Sequence, residues 1–194
     1  SKIFQIILLA CSILLYFSTT NVLSAETKLL TSVGLRQEYN DNIFYERTDE
    51  TDDFISQVIP SLRLNYATEI LKLSALARWD ALLYWDNTNQ NRLNQQYKLN
   101  GSYQLTERWS VSANGRYVFD SVQDSQLDET GSVERGLSDR QRLNAGAGLD
   151  YSVSERSDIG ADYNYQKPDF ERKSSVDTEA HGVRFFYRRR LQNQ

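Results

Sequence analysis

The sequence predicts an all-β chain: an antiparallel transmembrane β-barrel with about eight strands visible. Three observations predict it. Apolar and polar residues alternate with a period of two in about eight separate stretches. The connections between these stretches are alternately short and long. Aromatic residues gather at the ends of the apolar stripes. Successive side chains of a strand point to opposite faces, so strict alternation gives one apolar and one polar face. Behind a secretion signal, that pattern describes a barrel that is apolar toward lipid and polar toward a lumen.

The first strand is expected over Leu29–Tyr39, with Val33, Leu35 and Tyr39 outward and Ser32, Gly34, Arg36 and Glu38 inward. A long acidic connection, Asn40–Asp53, follows. The second strand spans Phe54–Tyr66, its outer face carrying Phe54, Val58, Pro60, Leu62, Leu64 and Tyr66, with Gln57, Ser61, Arg63 and Asn65 opposite. Ile59 breaks the alternation. Pro60 lacks the N–H of a central strand, so a bulge or irregular pairing is expected there. The short turn 67–69 leads to the clearest strand, residues 70–85. Here Leu71, Leu73, Ala75, Ala77, Trp79, Ala81, Leu83 and Trp85 alternate with positions that include Lys72, Ser74, Arg78 and Asp80.

A polar connection over 86–94 precedes the fourth strand, Gln95–Leu105, where Tyr97, Leu99, Gly101, Tyr103 and Leu105 oppose a polar set that includes Lys98. After Thr106-Glu107-Arg108, the fifth strand is Trp109–Phe119, with Arg116 among its inward residues. A long polar loop covers 120–139 and contains Gly131 and Gly136. The sixth strand, Gln141–Val153, places Arg142, Asn144 and Asp150 inward. The turn Ser154-Glu155-Arg156 leads to the seventh, Ser157–Tyr165, with Asp158, Asp162 and Asn164 inward. A charged loop over 166–179 and the eighth strand, His181–Tyr187, with Arg184 inward, complete the pattern.

The aromatics Tyr39, Phe54, Tyr66, Trp85, Tyr97, Tyr103, Trp109, Phe119, Tyr151, Tyr163 and Tyr187 are placed as interfacial girdles. An open edge is intolerable in lipid, so this reading requires closure. Alternation alone fits equally a secreted soluble barrel or sandwich with the apolar side inward. The abundance of Tyr, Trp and Ala over Ile, Val and Leu on the apolar face favours the membrane.

Residues 1–25 read as a signal peptide: Lys2, an apolar run from Ile3 to Phe17, then Leu23-Ser24-Ala25 ahead of Glu26. An uncleaved anchor is the alternative, but the run is short for a spanning helix of about 20 residues. Leu8-Leu9-Ala10-Cys11 is a poor lipoprotein signal, because the apolar run continues beyond Cys11. Cleavage after Ala25 leaves residues 26–194 as one barrel domain without cysteine, hence without disulfides. It also leaves 21 basic against 26 acidic residues, which argues against a nucleic-acid partner.

The segment Gly34-Leu35-Arg36-Gln37-Glu38-Tyr39-Asn40-Asp41-Asn42-Ile43-Phe44 resembles the first strand of the β-barrel porins of Gram-negative bacteria, including those of exosortase and exopolysaccharide loci. The acidic stretch Asp49–Asp53 with Phe54–Leu64, and Tyr103–Ser110, fit the same pattern. These motifs are generic hairpin chemistry. The resemblance implies an outer-membrane location, with lipid, lipopolysaccharide, the barrel-assembly machinery and polysaccharide export components as partners. It carries over no catalytic residues. Such barrels usually end on a strand with a terminal aromatic, whereas this chain ends Arg188-Arg189-Arg190-Leu191-Gln192-Asn193-Gln194. It is therefore expected to be a fragment of a larger barrel or a closed eight-stranded one.

The candidate lumen residues are Arg36, Glu38, Arg63, Lys72, Arg78, Asp80, Lys98, Arg116, Arg142, Asp150, Asp158, Asp162 and Arg184. In a closed eight-stranded barrel they would pair as a plug. In a wider one they would line water and bias ion selectivity. Asp41, Glu46, Asp49, Glu50, Asp52 and Asp53 lack the spacing of a calcium loop, so a solvated acidic loop without metal is expected. His181 is the single histidine, near Ser175, Asp177 and Glu179, and no nucleophile–base set is visible around it. A porin-like channel or a component of solute or polysaccharide export leads. A structural or adhesive barrel acting through its loops is the alternative, an outer-membrane hydrolase the weaker one, and no cofactor is expected.

Overall fold

A computed structural model describes residues 26–44, 48–121, 139–170 and 179–191. Its eight strands form one antiparallel sheet in sequence order: β1 (Glu26–Asn40), β2 (Asp53–Ala67), β3 (Leu71–Tyr84), β4 (Arg92–Gln104), β5 (Trp109–Ser121), β6 (Asp139–Ser154), β7 (Ser157–Phe170) and β8 (Ala180–Arg189). Each strand pairs with its neighbours in the chain, so every connection is a hairpin. Among the described residues no pairing joins β1 to β8, and the sheet is open at both. The expected signal peptide, Gly131, Gly136, Glu46, Ser175, Asp177 and residues 192–194 lie outside the described residues. No helix among the described residues is long and apolar enough to cross a membrane.

The registers keep the two faces separate over the whole sheet. One row of facing residues runs Leu29–Leu64–Ala75–Leu99–Gly115–Ala145–Tyr165–His181, and the row beside it on this face runs Thr27–Tyr66–Leu73–Gly101–Ala113–Ala147–Tyr163–Val183. Paired residues of an antiparallel ladder share a face, so a slip of one residue anywhere would mix the faces. None occurs within this stretch. An irregularity at Ser152/Ser154 lies at the β6–β7 turn, beyond the paired core.

The three short turns share one device. Thr68 Oγ1 accepts from Leu71 N at 2.9 Å, Thr106 Oγ1 from Trp109 N at 3.0 Å, and Ser154 Oγ from Arg156 N at 3.3 Å. A hydroxyl that captures the amide two or three residues on closes a tight turn without glycine. The recurring Thr-Glu and Ser-Glu pairs therefore have a local cause.

The strands are staggered. Thr31, Leu62, Ala77, Tyr97, Tyr117, Leu143 and Lys167 share a row. Thr31 lies nine residues short of the loop end of β1 at Asn40, but Lys167 lies only three short of the end of β7 at Phe170. Both ends of the sheet drift in one direction across the strands, as they do when strands tilt against a barrel axis.

Both prolines fit the pairing. The β2–β3 ladder skips Ile59 and Pro60 and resumes in unchanged register, so the irregularity expected at Pro60 is a gap rather than a bulge. The strand ends differ from expectation where β7 continues through 166–170, read from sequence as loop. Among the described residues this stretch pairs with β6, and the pairing of β7 with β8 is described as far as Gln166↔Ala180. Pro168 pairs with Arg142 of β6.

Candidate functional site

The two faces of the sheet differ in chemistry and in cover. The apolar face is bare across all eight strands: Val33, Leu35, Phe54, Leu99, Leu149, Val183, Phe185 and Tyr187 are exposed, with Leu35 at 79% and Phe185 at 80%. Most of the strand residues withdrawn from solvent, namely Asp53, Ile55, Leu82, Tyr84, Val118, Arg140 and Asp158, alternate with that set and so occupy the polar face, while Ala81 and Ser121 are buried on the apolar side near the loop end. A soluble sandwich has the opposite arrangement, and a bare apolar surface of this extent marks a contact with lipid or protein.

Aromatics on the apolar face cluster at three heights. Tyr39, Phe54 and Trp85 join at the loop end, with ring centroids 5.0 and 5.8 Å apart. Trp109 and Tyr151 meet at 4.6 Å at the turn end, on the row that includes Tyr187. Tyr66 and Tyr103 also stand near turns, and Phe119 near a loop. Tyr97 and Tyr163 do not: β4 starts at Arg92 and β7 runs on to Phe170, which leaves both residues mid-strand. Tyr97 joins a central cluster there with Trp79 and Tyr117, and its hydroxyl accepts from Trp79 Nε1 at 2.9 Å.

All the charged residues picked out as lumen candidates lie on the polar face. Several are paired. Asp120 accepts from Arg140 at 3.2 Å and from Arg142 at 2.7 Å, Arg184 pairs with Asp162 at 2.5 Å, Arg36 with Glu38 at 2.8 Å, and Arg78 reaches Asp80 at 3.8 Å. Asp158 has Arg190 at 3.5 Å and the Ser152 hydroxyl at 2.9 Å. Arg63, Lys72, Lys98 and Arg116 make no ion pair with any described residue. Lys98 and Arg116 face each other directly on β4 and β5.

Sequence reasoning missed an apolar cluster on the loop end of this face. Ile43, from the β1–β2 connection, is buried against Ile55, Leu82 and Tyr84, with Phe44 beside it. Its signal was Ala81-Leu82-Leu83-Tyr84-Trp85, where alternation gives way to consecutive apolar residues. Asp53 anchors the same end: its buried carboxylate accepts from Trp85 N (3.0 Å), Asp86 N (3.2 Å), Asn87 N (2.9 Å) and Asn87 Nδ2 (3.0 Å). Asp53 thus ties two loops together instead of joining a solvated acidic cluster. Among the described residues no group of three or more His, Cys, Asp or Glu could hold a metal ion.

His181 sits on the apolar face opposite Tyr165, with its Nδ1 2.8 Å from the Tyr163 hydroxyl. Glu179, just before β8, takes a hydrogen bond and charge from Lys167 at 3.0 Å, and this holds its carboxyl below the usual glutamate range. No family model matches the sequence, and no curated protein or solved structure matches it.

Proposed function

We propose that this chain is an outer-membrane β-barrel protein whose polar face lines a lumen, acting as a porin-like channel or as a component of solute or polysaccharide export. The observation that carries this reading is the exposed apolar face, continuous in register over eight strands, with most of the buried residues on the polar side. Each strand has 10 to 16 residues, enough for a tilted strand to cross a bilayer core, which takes about 9–11. The stagger and the alternation of short turns with long loops support the same reading.

A second reading, a structural or adhesive barrel working through its loops, is favoured by one observation. The Ile43–Ile55–Leu82–Tyr84 cluster and the Asp120–Arg140–Arg142 pairing fill the loop end of the polar face. Electrophoresis of membrane-extracted protein in SDS, unheated against boiled, tests the barrel. A mobility shift is expected. Recovery in the soluble periplasmic fraction without a shift would overturn it. Conductance in planar bilayers then separates the readings: stepwise current supports the channel, and a folded barrel without current leaves the adhesive alternative.

A further inference from the structure

Two neighbouring rows of the polar face set three cations beside a line of side-chain amides. One runs Leu30–Arg63–Leu76–Lys98–Arg116–Asn144–Gln166–Ala180, and the next Lys28–Asn65–Ser74–Asn100–Asn114–Gly146–Asn164–Gly182. Neither row contains a carboxylate, in a chain with 26 acidic and 22 basic residues. Elsewhere on this face Arg36, Arg78, Arg140, Arg142 and Arg184 each have a carboxylate within 4 Å, and Lys72 has none among the described residues. Here Arg63, Lys98 and Arg116 have no acidic partner among the described residues. Directly opposed like charges destabilise a ladder, so Lys98 against Arg116 is a local cost to the fold.

The amide row is shaped as well as polar. Gly146 lies between Asn114 and Asn164, and a Cβ there would collide with the Asn114 side chain and crowd that of Asn164. Glycine therefore lets both amides lean over the same spot. Asn100 continues the row and bonds to Ser74 Oγ at 3.3 Å. Such amides offer donors and acceptors together, which suits hydroxyl groups, while guanidinium and ammonium groups suit carboxylates.

The geometry points to a binding lane for carboxylate-bearing, hydroxyl-rich solutes, sugar acids, with Arg63, Lys98 and Arg116 taking the carboxylates and the Asn100–Asn114–Asn164 row taking the hydroxyls. An inorganic anion would use the cations alone and leave the amide row without a role. The inference rests on the lumen reading above and gives that lumen a substrate class.

The test is calorimetric titration of the full chain, folded in detergent, with trigalacturonate as probe and maltotriose as the uncharged control. Trigalacturonate is expected to bind and maltotriose to bind far more weakly, with the difference shrinking as salt is raised. Lys98→Gln and Arg116→Gln should each weaken trigalacturonate binding about tenfold, the loss of one charge-assisted hydrogen bond. Arg116→Lys should keep most of the affinity. Thermal stability should hold or rise in the glutamine variants, since an opposed like-charge pair is relieved. The unheated SDS mobility shift certifies that each variant is folded. Absence of trigalacturonate binding by the wild-type barrel, or undiminished binding by the folded double variant, overturns the lane. A barrel that binds trigalacturonate but passes no current supports the lane and removes only the channel reading. One that conducts without binding removes only the lane.

Discussion

The Phe186 ring occupies the space that a side chain on Gly160, its direct partner across β7 and β8, would need. Phe186 is an apolar residue on the polar face, and the pairing accounts for it: an aromatic over a strand glycine covers backbone that the missing side chain leaves bare. Arg184 and Arg188 flank the ring at 5.9 and 5.1 Å from its centre. Gly160→Ala should therefore destabilise the sheet by about 1–3 kcal/mol, the usual range for overpacking. Adding Phe186→Leu should recover part of the loss, since the two positions are coupled. Urea unfolding of the single and double variants, followed by loss of the unheated SDS mobility shift, measures both. Additive losses in the double variant would contradict the contact.

Leu99 lies mid-strand on the apolar face and is more than half exposed. If lipid covers that face, Leu99→Arg should cost about 2–4 kcal/mol near the bilayer midplane. If water covers it, the change should stay within about 0.5 kcal/mol. Asn100→Arg, the adjacent residue on the opposite face, serves as the internal control and should be tolerated. Refolding into lipid vesicles across a urea series reads the difference.

Asp53 is 1% exposed and accepts four hydrogen bonds from residues 85–87. Asp53→Ala leaves Asp86 N, Asn87 N and Asn87 Nδ2 without that acceptor, while Trp85 N keeps the Phe54 carbonyl at 3.1 Å, at about 1–3 kcal/mol for each buried group that water does not reach. Asp53→Asn keeps one acceptor oxygen and should lose less. Because the bonds tie the β3–β4 loop to the start of β2, the effect should be local. Amide hydrogen exchange should speed up most at Asp86 and Asn87 in Asp53→Ala, less at Trp85, which keeps its bond to Phe54, with Trp109 unchanged.

The separation of faces was legible in the sequence because the period of a strand leaves no freedom: once Tyr39 and Phe54 are paired, each later residue has its side assigned. The short turns at Thr68, Thr106 and Ser154 were legible, the last two as a repeated Thr/Ser-Glu-Arg, although their hydroxyl bonds were not. Strand ends were harder to read. Lys167-Pro168 reads as a loop, yet both residues pair with β6, which turn-forming composition alone does not reveal. Pairing among the charges was not legible either, since which arginine reaches Asp120 depends on the register between β5 and β6. The loop-end cluster was hidden because Leu82 and Tyr84 fall on the face that alternation assigns to polar residues.

Burial separates the two strongest ion-pair groups on the polar face. Arg140 and Asp120 have 8% and 13% of their side chains exposed, whereas Arg184 opposite Asp162 is 72% exposed. Removing one member of a buried pair takes a carboxylate from a guanidinium in a poorly solvated place, a change that can cost up to about 3–5 kcal/mol. A solvated arginine re-hydrates, and its pair contributes about 0–1 kcal/mol. Asp120→Ala should therefore be far more damaging than Asp162→Ala, although both remove a carboxylate facing arginine from the same side of the sheet. High salt should weaken the Asp162 contribution and leave that of Asp120 nearly intact. Urea midpoints of the two variants at low and high ionic strength check this ordering. Equal losses would mean that water reaches Asp120 as freely as Asp162, as in a lumen that stays open at its loop end.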